Sequence, residues 1–208
     1  MHKHLREPRW PAFLGMVAAA GIYWALPESL SIGPGWLLPA IIVPLQIPIA
    51  ISARRGDHGV TRILALIANG SITLAMVASL ILLVQGIPKH SEAPQALLRS
   101  ALLLWVTNIL VFALWYWKLD AGGPLEREHP HGMDASAFLF PQMVRGNCDP
   151  DWVPDFVDYL FVAFNTSTAF SPTDTAVLSA WAKLLTMLQS LISLAIIALL
   201  AARAVNIL

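Results

Sequence analysis

The sequence has little of what builds a soluble enzyme. Charged residues make up 12% of its 208 positions, about half the roughly 25% carried by soluble domains. The formal net charge is zero, so the basic footprint of a nucleic-acid binder is missing. A single cysteine, Cys148, excludes an intramolecular disulfide. No glycine-rich phosphate loop, nucleophile elbow or HExxH helix occurs. The six histidines all fall outside the apolar runs, so enzyme chemistry has no candidate constellation and no cofactor is implied. His129, His131, Cys148 and Asp149 are metal-capable types, but their spacing matches no zinc pattern and their default reading is a solvated loop. Internal repeats and low-complexity tracts are also lacking.

What is abundant is apolar sequence, at 57% of residues with positive mean hydropathy. Spanning a bilayer takes about 20 residues of helix at about 1.5 Å each. Runs over 12–26, 36–53, 62–84, 97–117 and 184–205 approach or meet that length. The expected fold is all-α: one multi-pass transmembrane bundle with five full-length spans plus one short membrane or re-entrant helix. Trp10, Trp24 and the run Trp115-Tyr116-Trp117 are expected at the headgroup level as aromatic anchors. Pro39, Pro44 and Pro48 each delete a backbone donor in the second span. That span is a kinked packed helix or, alternatively, a discontinuous helix lining a cavity. Asn69-Gly70-Ser71, Thr73 and Thr107-Asn108 are polar or small positions inside spans, where they let helices approach and hydrogen-bond. Residues 118–153 form the one long polar connection.

The last third, 154–208, organises the rest. A short apolar segment, Phe156 to Phe164, runs into Asn165, Thr166, Ser167 and Thr168. The turn-like Ser171-Pro172-Thr173-Asp174 follows, then an apolar run interrupted by Thr186, Gln189, Ser190, Ser193 and Arg203. Ser171 to Asp174 also fits a helix start, with serine as N-cap, proline at N1 and an acid at N3. Segment 154–170 is about 25 Å long as a helix, at the lower limit for crossing, so crossing and re-entrance both remain open. Either choice leaves ten Lys and Arg on one side and three on the other, which places the N-terminus in the cytoplasm of a cell whose inner membrane holds the protein.

On these residues the C-terminal part resembles potassium-channel-like two-transmembrane pore modules. Tyr159 to Phe164 stands where the pore helix would be, Thr166-Ser167-Thr168 where filters begin, and Ala182 to Val205 where the inner helix would be. The chain also resembles bacterial multi-pass membrane proteins with this same ending. The resemblance implies a pore-like helical hairpin that conducts or binds monovalent cations in the lipid bilayer, as a homo-oligomer because one such hairpin cannot enclose a path. Filter-like residues would be Thr166, Ser167, Thr168, Ala169, Phe170 and Ser171, with Asp158 and Asp174 as acids at the pore mouths. Ala169 to Pro172 stands in place of the glycines that let filter carbonyls point inward, so the filter is degenerate. A small-solute transporter built around the proline-broken second span, and a membrane scaffold without transport, are the alternatives.

Overall fold

The computed structural model describes residues 8–86, 94–127, 135–144, 152–168 and 174–205. Five helices are longest: α1 (Trp10–Trp24), α2 (Leu37–Arg55), α3 (His58–Gly86), α4 (Pro94–Leu119) and α8 (Ala180–Val205). Three shorter ones intervene, α5 (Pro124–Arg127), α6 (Pro141–Val144) and α7 (Phe156–Thr168). The only strands among the described residues are the two-residue β1 (Phe138–Leu139) and β2 (Ala176–Val177), paired antiparallel. The chain is therefore all-α, as its composition implied. Four helices, α2, α3, α4 and α8, are long and apolar enough to cross a membrane. Helix α1 is apolar but has 15 residues.

Helix α4 is the axis. It packs against α1 and α3 on one side and against α7 and α8 on the other. Val111, Phe112, Ala113, Leu114 and Tyr116 on it are all buried. The outer helices leave apolar faces uncovered instead. Ile47 and Ile51 on α2, and Leu184, Leu191 and Leu194 on α8, are exposed. Exposed apolar faces of this kind mark surfaces that meet a membrane or an apolar partner.

Pro44 and Pro48 lie inside α2, which continues as one helix through both. It ends at Gly56, whose φ of 80° is the left-handed cap that glycine adopts without a Cβ penalty. Between α3 and α4 one of the polar positions bonds across the helices as expected: the Trp115 indole N–H donates to the Thr73 hydroxyl at 2.9 Å, whereas Ser71 and Thr107 bond carbonyls of their own helices. The aromatic belt at 115–117 is a correction. Trp10 and Trp24 are exposed, but Tyr116 and Trp117 are buried and Trp115 is half-buried. Trp117 stands edge-on to Phe156, and the Tyr116 hydroxyl donates to Gln189. Each ring has an interior partner, which outweighs an interfacial position.

The polar connection after α4 also departs from a solvated loop where it is described. The chain reverses through Ala121, Gly122 and Gly123, all with positive φ. Asp120, Arg127, Ala137, Phe138 and Phe140 are buried against the end of the bundle. The Asp120 carboxylate accepts from Ala137 N at 2.6 Å, Ser136 Oγ at 2.8 Å and Tyr159 Oη at 2.6 Å. Arg127 Nη1 donates to the Trp117 and Asp120 carbonyls, and its guanidinium lies 5.1 Å from the Tyr159 ring centroid. Phe138 packs on Tyr116, Tyr159 and Trp181, so one phenylalanine joins α4, α7 and α8.

Candidate functional site

Two features converge on the end of the bundle where α4 finishes. The first is a cavity of about 450 Å³ among α1, α2, α3, α4 and α5. Each helix contributes one face at helical spacing. Helix α1 supplies Ala12, Phe13 and Met16, with Arg9 at its N-cap; α2 supplies Gln46, Ile49, Ala50 and Ala53. Helix α3 adds Thr61, Arg62, Ala65 and Leu66, and α4 adds Leu114, Trp117 and Lys118. The start of α1, the end of α2, the start of α3 and the end of α4 therefore meet at one end, as four helices running alternately up and down require.

That end is cationic. Arg9, Arg54, Arg62 and Lys118 line the cavity against one acid, Glu126, whose carboxylate lies 3.8 Å from His58 Nδ1. Lys118 is 7% exposed, and its Nζ donates to the Ala65 carbonyl at 2.9 Å. Deeper in, the buried Gln46 amide donates to Met16 Sδ and to the Ile42 carbonyl. Apart from Thr61, the walls are otherwise apolar side chains, Pro124 and glycine backbone. Small residues on α2 make the room, since Ala50 and Ala53 leave space where Ile49 does not.

The second feature is the C-terminal hairpin. Helix α7 begins at the cationic end, where Phe156 meets Trp117 and its ring comes within 2.8 Å of a Cβ placed on Gly15. It has 13 residues, about 20 Å, and its last turn lies beside Trp105 and Asn108 near the middle of α4. By β2 the chain is back at the cationic end, paired to β1, with Leu178 N bonded to the Ala137 carbonyl. Helix α8 then runs the length of the bundle from Ala180. The start of α7 and the strand β2 therefore lie at the same end of the bundle.

A helix that stops half-way leaves its last carbonyls without intrahelical donors. Here hydroxyls supply them. Thr168 Oγ1 donates to the Asn165 carbonyl at 3.2 Å, Ser190 Oγ to Thr166 at 3.5 Å, and Ser193 Oγ to Ser167 at 2.6 Å. Gln189, fully buried, donates from Nε2 to the Ala163 carbonyl at 2.7 Å and to Ser167 Oγ at 2.8 Å. Its Oε1 accepts from Tyr116, and Asn108 Nδ2 reaches Ser167 Oγ and the Gln189 carbonyl, both at 3.4 Å. The polar interruptions of α8 are the seat of α7.

The residues singled out from the sequence fall as follows. Thr166, Ser167 and Thr168 are helical, forming the last turn of α7. Ser167 is buried in the network just described, while Thr166 Oγ1 donates to the Val162 carbonyl of its own helix at 2.8 Å. Ala169, Phe170 and Ser171 lie outside the described residues, as do His129, His131, Cys148 and Asp149. Asp158 caps its helix. Its Oδ2 accepts from Asp155 N at 2.8 Å, and Asp155 Oδ1 accepts from Val157 N at 2.7 Å and Asp158 N at 3.3 Å, a reciprocal capping box. Burial pushes the Asp158 carboxyl above the usual carboxylate range; the hydrogen bond from Asp155 opposes this and the Asp155 charge adds to it. Asp174 is exposed, in a bend before β2. The helix start expected at Ser171 to Asp174 is displaced: α8 begins at Ala180, and Ser179 Oγ accepts from Ala182 N at 3.3 Å. Pairing of Ala176–Val177 with β1 holds these two residues extended, so the helix waits for Ser179.

Among the described residues, no group of three or more His, Cys, Asp or Glu side chains is placed to hold a metal ion. Gln189, Tyr116, Ser193 and the cavity face of α2 were not foreseen as a set. A glutamine in the middle of an apolar run was the one available signal for the first three. Compared with known protein families, curated proteins and solved structures, the chain matches none.

Proposed function

We propose that this is an integral membrane protein that binds a small solute in the cavity among α1 to α4, reached from the cytoplasmic side. The observation that carries the reading is the cavity itself. Its volume lies within the roughly 300–1,000 Å³ of ligand sites, with apolar walls and a few convergent polar groups. It lies against the proline-containing α2, the element singled out for a transporter. The exposed apolar faces of α2 and α8 support bilayer insertion, and the cationic end supports the cytoplasmic orientation.

In this reading α1, α2, α3, α4 and α8 cross the bilayer and α7 dips in from the cytoplasmic side. The capped carbonyls of α7 are a scaffold that fixes α8 against α4. A cysteine at Ala53, in a Cys148→Ser background, tests the cavity. A water-soluble thiosulfonate should modify it in reconstituted protein with the cytoplasmic end accessible. Reaction with lipid-soluble maleimides alone would remove the aqueous cavity and the solute reading with it.

A second reading is favoured by the re-entrant path of α7. An oligomer could bring several such hairpins around one axis, with Thr166, Ser167 and Thr168 offering oxygens to a monovalent cation and Asp158 and Asp174 near the mouth. Potassium and sodium flux through proteoliposomes decides it. Flux no greater than the leak of empty vesicles, under any gradient or potential, rules conduction out.

A further inference from the structure

We infer that the ligand of the cavity is an amphiphile with an acidic head group, a phosphate or carboxylate carried on an acyl chain. This rests on the solute-binding reading above and specifies its chemistry. Four cations line the cavity against the single acid Glu126, which already has His58 beside it. Lys118 is the decisive group. It is only 7% exposed, and it lines the cavity. Among the described residues its Nζ has one partner, the neutral Ala65 carbonyl, and no carboxylate within 4.0 Å. An ammonium has three donors, and a buried charge without a counter-ion is strongly unfavourable. An anion bound in the cavity supplies both the charge and the missing acceptors.

The remaining cations suit the same group. Arg54 lies in the last turn of α2 and Arg62 in the second turn of α3, so two guanidiniums line the cavity from adjoining helices. Planar guanidiniums bind phosphate and carboxylate oxygens in pairs. The walls exclude a bare anion as the full occupant. Phe13, Ile49, Leu66, Leu114 and Leu125 offer no hydrogen bonds, and a small hydrated ion would lose its water against them. An acyl chain fills that part without loss. Basic pockets between membrane helices on the cytoplasmic side are suited to acidic lipid head groups for the same reason.

The test is protection of the Ala53→Cys thiol in the full-length protein, purified in neutral detergent. The probes are dioctanoyl phosphatidate, dioctanoyl phosphatidylcholine, dioctanoylglycerol and inorganic phosphate. Phosphatidate should protect at a concentration at least about tenfold lower than any of the other three, about 1.4 kcal/mol of preference. Lys118→Met should abolish that preference while leaving protection by dioctanoylglycerol. The double variant Arg54→Gln/Arg62→Gln, at two exposed positions, should reduce it and stands in if Lys118→Met does not fold. Equal protection by phosphatidate and phosphatidylcholine would overturn the acidic head group. Inorganic phosphate protecting as well as phosphatidate would overturn the acyl chain. A preference that survives in both variants would overturn the assignment to these cations. If the thiol is never modified by the water-soluble reagent, the cavity reading fails and this one with it; if it is modified and no acidic preference appears, only this one fails.

Discussion

Replacing Gln189 by leucine should unseat α7 at a cost of about 2–4 kcal/mol. The estimate follows from what Gln189 holds. Leucine approximates its volume, so cavity formation contributes little, and the loss is polar. The Tyr116 hydroxyl, fully buried, would lose its acceptor, and a stranded buried polar group costs about 1–3 kcal/mol. The bonds to the Ala163 carbonyl and to Ser167 Oγ would also go, each worth about 0.6 kcal/mol between membrane helices. Ala163 keeps its intrahelical donor and Ser167 keeps Asn108, so neither is stranded. Removing the hydroxyl as well, in Tyr116→Phe/Gln189→Leu, should recover about 1–2 kcal/mol, because deleting both partners is nearly neutral. Reversible unfolding in mixed micelles of the wild type, both single variants and the double variant gives the coupling energy directly. Coupling below about 0.5 kcal/mol would refute the claim that Tyr116 and Gln189 depend on each other.

Asp120→Asn presents an amide nitrogen to at least one of the Ala137, Ser136 and Tyr159 donors and should lower stability by about 2–4 kcal/mol, more than Tyr159→Phe, in the same unfolding assay. Gly15→Val should cost about 1–3 kcal/mol by overpacking, since a Cβ there lies 2.8 Å from Phe156 Cζ, and Phe156→Leu should relieve part of that loss. Glycine positions should divide by their surroundings, as thermal unfolding in detergent will show. Gly123→Ala, with φ of 103° and a Cβ 2.9 Å from the Lys118 carbonyl oxygen, should destabilise, whereas Gly70→Ala, mid-helix with nothing within 4 Å, should stabilise by about 0.5–1 kcal/mol.

The helices were legible because apolar length is a local property. Residues 36–53, 62–84, 97–117 and 184–205 each announce themselves by composition, and α2, α3, α4 and α8 cover them. The path of α7 was not legible, since 154–170 is the right length either to cross or to dip. Pairing of Phe138 with Val177 brings the chain back to the end where α7 begins, and that contact joins residues 39 apart in sequence with no local signal on either side. Trp115, Tyr116 and Trp117 looked interfacial because aromatic clusters at helix ends usually are. Their burial depends on Thr73, Gln189 and Phe156, each on a different helix. The hydroxyl cluster was visible at Thr166 to Thr168, but its partners on α8 looked like mere interruptions. Ser190 and Ser193 acquire meaning only once α7 ends beside them. The cavity was hidden for a related reason: Ala50, Ala53 and Lys118 form one wall only after four helices meet.

The orientation of the hairpin and of the cationic end can be read by thiol accessibility in spheroplasts. Single cysteines at Ile32, Glu126, Asp155 and Asp174 in a Cys148→Ser background would be exposed to an impermeant maleimide, before and after lysis. Ile32 lies exposed between α1 and α2, at the end opposite the cations, and should be modified from outside. Under the proposal that α7 enters and leaves on the cytoplasmic side, Glu126, Asp155 and Asp174 should all resist until the membrane is opened. Modification of Asp155→Cys and Asp174→Cys from opposite sides would show that α7 crosses, contradicting the re-entrant hairpin and the placement of the cavity beside it.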